Sequence, residues 1–297
     1  MSHQPVLLNE VMEILSPKPG EFFIDGTLGG GGHARAVIGK IEPNGKFLGM
    51  DWDKNAIEKF RSSVISHKPS VILVNDNYKN ISMILKEKKL GKADGLLLDL
   101  GFSSEQLESS GRGFSFQRDE PLYMTYSKET KPAYRVLSEE SEFNLKQIIK
   151  EFGEERFAGR IAKAIKKNLP ILTSKKLAAV VSGAVPPRRG PFGGGYERGR
   201  IHPATRTFQA LRIFVNQELE NLKIFLESVP SILNPGGRLA VISFHSLEDR
   251  IVKNYFRDFK NGELAELLTK KPIIAGAGEV RGNPRSRSAK LRAIKIL

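Results

Sequence analysis

Cysteine is absent from this chain. Its absence excludes disulfide scaffolds, thiolate nucleophiles and cysteine-ligated zinc. Histidine is scarce, with only His3, His33, His67, His202 and His245. No two of them stand at the spacing of a metal-binding pair, so no metal site built from protein ligands is expected. Long apolar runs are missing too. The most apolar stretch, residues 177–185, falls far short of the roughly 20 residues that span a bilayer. Residues 1–15 alternate polar and apolar side chains and carry Glu10 and Glu13, unlike a signal peptide. The expectation is a soluble, cytoplasmic protein without membrane contact. Acidic residues are in deficit: 33 Asp and Glu face 47 Lys and Arg, a net charge of +14 over 297 residues. That surplus points to a polyanionic partner, with nucleic acid the usual one, against the plainer reading of an inert basic surface.

What is present in the first third is a β/α rhythm. Short apolar runs at residues 21–25, 46–51, 70–74 and 95–100 read as strands. Between them, a helix begins at residues 33–38, and residues 56–67 and 81–89 have helical spacing. The fourth run is apolar on both faces, as a central parallel strand should be. This order predicts an α/β fold with a doubly wound, mostly parallel sheet and right-handed crossovers. After residue 105 the rhythm stops. Residues 145–168 read as one long helical stretch, residues 174–185 as another helix, and residues 186–203 as a loop rich in Gly, Pro and Arg. It resumes with a helical segment at 204–229, a Pro235-Gly236-Gly237 turn and a strand at 238–244. The reading is one α/β domain, residues 1–105 and 206–297, interrupted by a mostly helical substrate-recognition insert, residues 106–205.

The loop D-G-T-L-G-G-G-G-H, residues 25–33, follows a strand and opens a helix. Gly29, Gly31 and Ala34 fit a dinucleotide-type fingerprint, and Asp51 ends the next strand, 22 residues after Gly29. A carboxylate there can accept hydrogen bonds from both ribose hydroxyls of an adenosine cofactor. Asp25 discriminates between cofactors. Near a pyrophosphate it would repel, whereas near the ammonium and sulfonium of S-adenosylmethionine it would attract. The plainer alternative is that Asp25 caps the helix and the glycines make a tight turn, although four consecutive glycines exceed what a turn needs. His33 is expected to hold the loop or contact the cofactor carboxylate.

The fourth strand ends in Asp99-Leu100-Gly101-Phe102. Acid-x-x-aromatic resembles the Asp-Pro-Pro-Tyr signature of methyltransferases that act on exocyclic base amines. Such an amine is a poor nucleophile because its lone pair is conjugated into the ring. A carboxylate and a backbone carbonyl can accept its protons and localise the lone pair, while an aromatic ring stacks on the base. Asp99 and the Leu100 carbonyl are the candidate acceptors and Phe102 the candidate platform. The alternative is that Asp99 only binds the cofactor or caps the next segment. Two basic segments are candidate RNA clamps. Residues 188–212 hold Arg188, Arg189, Arg198, Arg200, Arg206 and Arg212 with one acid, Glu197. Residues 280–297 hold Arg285 and Arg287 among six cations and no acid, and residues 283–288 show neither helical nor strand periodicity. A solvated tail is the commoner fate of such a run. Two rival readings stand beside the methyltransferase. One is an NAD-dependent oxidoreductase, which Asp25 and the acid-x-x-aromatic site disfavour. The other is an RNA-binding module on a catalytically dead nucleotide fold.

Several motifs together resemble the bacterial RsmH (MraW) family of small-subunit ribosomal RNA methyltransferases. They are H-Q-P-V-L-L-N-E at 3–10, the glycine loop at 25–33, D-L-G-F-S-S-E-Q-L at 99–107 and G-R-G-F-S-F at 111–116. G-E-E-R-F-A follows at 153–158, H-P-A-T-R-T-F-Q-A-L-R-I at 202–213, S-F-H-S-L-E-D-R-I-V-K at 243–253 and N-P-R-S-R-S-A-K-L-R at 283–292. The resemblance covers essentially the whole chain, and the last three motifs are highly specific. It implies a class I, Rossmann-like methyltransferase. It also implies methylation of a cytidine N4 in the decoding region of 16S rRNA, with S-adenosylmethionine as donor. The family's cofactor contacts fall on Gly31, Gly32, His33, Asp51, Tyr78, Asp99 and Gln106. One departure stands out: where the family usually has an Asp and an Arg beside the substrate cleft, this chain has Tyr123 and Thr125.

Overall fold

A computed structural model of the chain describes residues 4–63, 70–101, 111–127, 129–186 and 202–297. The chain divides into two compact units, residues 1–103 with 219–297, and residues 104–218.

The first unit is built on a seven-stranded sheet. Its strands are β1 (Phe22–Asp25), β2 (Lys46–Asp51), β3 (Ser70–Asn75), β4 (Ala93–Asp99), β5 (Leu233–Ser243), β6 (Ala265–Leu267) and β7 (Lys290–Ile296). Their order is β3-β2-β1-β4-β5-β7-β6. The pairs β1–β2, β1–β4, β2–β3 and β4–β5 are parallel, while β7 runs antiparallel to both β5 and β6. Helices α1 (Leu8–Leu15), α2 (Gly32–Ile41), α3 (Lys54–Ser63) and α4 (Ile81–Glu87) accompany the first four strands. The strand period of two decides which side chain enters which core. Phe22 and Ile24 of β1 pack into one hydrophobic cluster with residues of α4, whereas Phe23, between them, packs into the other with residues of α1, α2 and α3. Both faces are therefore covered, which is why the parallel strands read as unbroken apolar runs.

The second unit is helical: α5 (Ala133–Glu139), α6 (Glu142–Gly153), α7 (Ala158–Lys167), α8 (Ser174–Ala184) and α9 (Thr205–Asn216). Ser141 and Thr173 cap α6 and α8 by accepting backbone N–H groups of Asn144 and Lys176. The single helical stretch expected over 145–168 is two helices. Glu154 adopts φ 47° and Glu155 turns back to accept the Phe157 N–H at 2.8 Å, which ends α6 and starts α7. Helix α9, expected with the α/β domain, lies in the helical unit. Asn216 at its end donates to Met124 O at 2.8 Å, and Phe208 meets Phe116 edge-on.

Helices α10 (Glu218–Ile232), α11 (Ser246–Asn261) and α12 (Ala277–Gly282) complete the chain. The expected turn at residues 235–237 is instead a bulge inside β5. Pairing shifts from Ala93↔Leu233 to Gly95↔Arg238, and Gly236 takes φ 81° to absorb the surplus residues. The basic carboxyl-terminal segment is not a free clamp throughout: residues 284–288 form a 3₁₀ turn and β7 follows as an interior strand. No helix among the described residues is long and apolar enough to cross a membrane.

Candidate active site

The strand order reverses direction between β1 and β4. In an open parallel sheet the crevice at the carboxyl ends of such a pair is where ligands bind. Three acids stand along that edge. Asp25 ends β1, Asp51 ends β2 and Asp99 ends β4.

Short-range chemistry shapes the glycine loop. Thr27 N–H donates to Asp25 Oδ1 at 3.0 Å, and Gly29 N–H donates to Asp51 Oδ2 at 2.8 Å. Asp51 Oδ1 accepts a second N–H, from Asp53 at 2.7 Å. The Gly29 hydrogen bond ties the loop to the end of β2, and the Asp53 hydrogen bond fixes the Asp51 carboxylate in place. Gly31 has φ 70°, and a Cβ there would stand 2.2 Å from the Phe60 ring, so no larger residue fits. At Gly32 the close neighbour is Pro5, 2.9 Å from a would-be Cβ. That glycine therefore also serves packing of the amino-terminal segment.

Asp25 is 3% exposed. Burial raises its pKa to about 7; the Thr27 N–H opposes the shift, and the charges of Asp99 and Asp51 add to it. His33 lies close by and is buried. Its Nε2 is 2.9 Å from Val6 O, an atom that can only accept, so Nε2 carries the proton. Its Nδ1 then faces Asp99 Oδ2 at 3.8 Å.

Asp99 is held from both sides. Its N–H donates to Thr27 Oγ1 at 2.6 Å, and its Oδ1 accepts the Gly101 N–H at 3.0 Å. Leu100 N–H extends the ladder to Ile242 O at 2.9 Å, which carries the strand path one residue past Asp99. At Gly101 a Cβ would stand 2.7 Å from the Phe244 ring. A side chain at this position would collide with that ring, so packing against Phe244 requires glycine here.

Tyr78 begins a 3₁₀ turn just beyond β3 and presents its ring edge-on to Phe225 at 5.9 Å. Its Cβ lies 3.3 Å from where a Cβ of Gly26 would be, at the foot of the glycine loop. Asn77 beside it is buried; its Oδ1 accepts Lys79 N–H, and its Nδ2 has no hydrogen-bond partner among the described residues. Such a donor is costly to bury unused. A glycine loop that turns through positive φ at Gly29 and Gly31, a strand-end carboxylate and an orphaned amide donor beside an aromatic ring suit an adenosyl group.

Asp25, Gly29, Gly31, Gly32, His33, Asp51, Tyr78, Asp99 and Leu100 thus gather at one edge of the sheet. Thr27, Asp53, Asn77 and Phe244 belong with them and were not singled out from the sequence. Thr27 and Asn77 carry only the weak signal of a small polar residue at a strand end. Phe102 and Gln106 lie outside the described residues, as do Arg188, Arg189, Arg198 and Arg200. Arg206 is occupied in the helical unit: Nη1 donates to Glu154 O at 3.0 Å and lies 3.9 Å from Glu155 Oε2. Arg287 is exposed and Arg285 half-buried on the 3₁₀ turn. Tyr123 is exposed and meets Tyr134 at 6.1 Å, while Thr125 is buried.

A seven-stranded sheet with one antiparallel strand between the fifth and the edge, carrying such a glycine loop and acid pair, defines a Rossmann-like, S-adenosylmethionine-dependent methyltransferase. Sequence comparison narrows the class. The model of the MraW methylase family matches residues 1–297. Curated relatives named ribosomal RNA small subunit methyltransferase H are similar along their full length. That of Syntrophus aciditrophicus is 43% identical over 309 residues, covering 98% of this chain and 96% of its own. That of Syntrophotalea carbinolica is 45% identical over 316 residues, covering 99% and 98%. That of Thermotoga neapolitana is 44% identical over 298 residues, covering 99% and 96%. The chain belongs to the MraW methylase family.

Proposed function

We propose that this protein methylates small-subunit ribosomal RNA in the cytoplasm, at the N4 amino group of a cytidine in the decoding region of 16S rRNA. The names of its full-length relatives support the substrate class. The observation that carries the chemistry is the fixed carboxylate of Asp99 beside a glycine, next to the cofactor loop.

S-adenosylmethionine supplies a methyl group already activated on a sulfonium. Asp51 holds the ribose hydroxyls, Gly29 and Gly31 admit the cofactor to the backbone, and Asp25 faces its positive charge. Tyr78 and Asn77 border the adenine. The remaining tasks are orientation and making the amine nucleophilic. Asp99 and the Leu100 carbonyl accept the two N4 hydrogens, which pulls the nitrogen toward a tetrahedral geometry and localises its lone pair. Asp99 is then in place to take the proton that the methylated nitrogen sheds. Phe102 provides the stacking face, and Gln106 adds a cofactor contact by family resemblance. The helical unit, with Arg188, Arg189, Arg198 and Arg200 of its basic segment, recognises the RNA.

The test is methyl transfer to naked 16S rRNA and to assembled small subunits, with the product nucleoside identified by mass spectrometry. Asp99→Ala should lower the single-turnover rate about 10²–10³-fold at saturating cofactor and RNA. Wild-type turnover in that variant would remove Asp99 from the chemical step. A methyl group found on any atom other than cytidine N4 would overturn the assignment of the acceptor.

A further inference from the structure

One surface of the helical unit sets cations and an exposed aromatic ring together. Helix α7 buries Ala158, Ile161, Ala162 and Ile165. On the opposite face, at steps of three and four, stand Arg160, Lys163 and Lys167, all exposed. They span about 10 Å of helix axis at roughly 1.5 Å per residue. Arg156, four residues before Arg160, extends the line. The Phe157 ring lies 4.5 Å from the Arg156 guanidinium and 5.9 Å from that of Arg160. Cation–π contact of this kind orients a guanidinium without consuming its N–H donors.

The adjoining helix α6 adds to the same face. Lys146 Cδ lies 3.7 Å from where a Cβ of Gly159 would stand, so the lysine stem crosses onto α7. One turn before it, Phe143 is 64% exposed. Among the described residues, no carboxylate lies within 4.0 Å of Lys146, Arg156, Arg160, Lys163 or Lys167. Lys166, between two of them in sequence, behaves differently. Its Nζ donates to the carbonyls of Leu137, Ser138 and Glu140 at 3.3, 2.9 and 2.8 Å. The helix thus separates a lysine used for structure from a row of cations whose donors are left over. Glu142, exposed one turn before Lys146, also stands on this face, so cations outnumber acids there rather than stand alone, and the Phe143 ring lies among them.

We infer that this α6–α7 face binds a single-stranded or bulged stretch of the RNA. Phe143 stacks on an unpaired base, and the row from Lys146 to Lys167 neutralises the phosphates around it. The inference rests on the RNA substrate proposed above and adds a second point of attachment to it.

The experiment uses the full-length protein and a naked small-subunit rRNA transcript. In the triple variant Lys146→Gln, Arg160→Gln, Lys163→Gln the slope of log affinity against log salt should flatten by about 2. Phe143→Ala should weaken binding about 5- to 150-fold and leave the salt slope as in wild type. Both variants should keep the wild-type melting temperature and cofactor affinity. An unchanged slope in the triple variant overturns the inference, as does unchanged affinity in Phe143→Ala. Wild-type methyl transfer to small subunits separates the two levels. If it is present while the variants bind like wild type, only this face falls. If wild-type protein neither binds nor methylates RNA, the substrate reading falls and takes the face with it.

Discussion

At the scale of single residues, Asp25 is the most consequential. A carboxyl group with a folded pKa of about 7 and an ordinary value of 3.8 holds a proton in the native state that the unfolded chain has lost. Its contribution to stability is therefore present below about pH 4 and disappears as pH rises toward 7. Asp25→Asn should accordingly raise the melting temperature at pH 8. Cofactor binding runs the other way, because a cationic ligand prefers the ionised carboxylate. Affinity for S-adenosylmethionine should tighten about tenfold between pH 6 and pH 8, the change in ionised fraction that a pKa near 7 gives. Calorimetry across that range checks it, and Asp25→Asn should flatten the profile. An equally steep profile in the variant would show that another group titrates. Asp51 differs in kind: its carboxylate already accepts two backbone N–H groups, so it shapes the loop as well as receiving the ribose.

At the scale of elements, the helical unit is held by long-range caps. The carboxyl end of α5 has no helical partners for its last carbonyls, and Lys166 of α7 satisfies three of the carbonyls there. Lys166→Met should cost about 1.5–3 kcal/mol in denaturant unfolding, the range for hydrogen bonds to a charged group. Lys163→Met, one turn earlier and exposed, should stay within about 0.5 kcal/mol. Equal effects of the two would mean that the cap is not what sets stability. In the first unit, Asp249 of α11 does similar work for β7. Burial tends to raise its pKa, but hydrogen bonds from Arg292 and Lys290 outweigh that and hold it below the usual carboxylate value. The last strand can therefore carry two cations at its start and still pair in the sheet interior.

At the scale of the whole molecule, the net charge of +14 is not all available to a partner. Arg212 is bidentate on Glu218, Arg238 on Glu21, and Arg292 and Lys290 meet Asp249. Arg287 is exposed on the 3₁₀ turn before β7. Arg287→Gln should flatten the salt dependence of RNA binding by about 0.7–0.9 and leave the melting temperature alone. Arg292→Gln should do the reverse, lowering stability because Asp249 loses its buried partner while the slope stays put. If both variants changed the slope equally, the division between used and available cations would be wrong.

Where a property depends on neighbours a few residues apart, the sequence by itself settled it. The apolar runs of β1 to β4, the glycine loop opening α2, and the acids at the ends of β1, β2 and β4 are such features. A strand's burial and a loop's tolerance for φ above zero are written in adjacent side chains. The motifs that carry the family are equally local. Tertiary structure alone decided what depends on contacts between distant segments. Residues 290–296 look like a charged tail until Asp249 neutralises two of their cations. Residues 235–237 look like a turn, but their pairing with β4 makes them a bulge. Helix α9 looks like the resumption of the α/β rhythm, yet Asn216 and Phe208 fasten it to the helical unit. Likewise, no pattern along α7 distinguishes Lys166 from Lys163. Only the carbonyls of α5, 26 to 29 residues earlier in the chain, reveal which lysine is bound and which is left for a ligand.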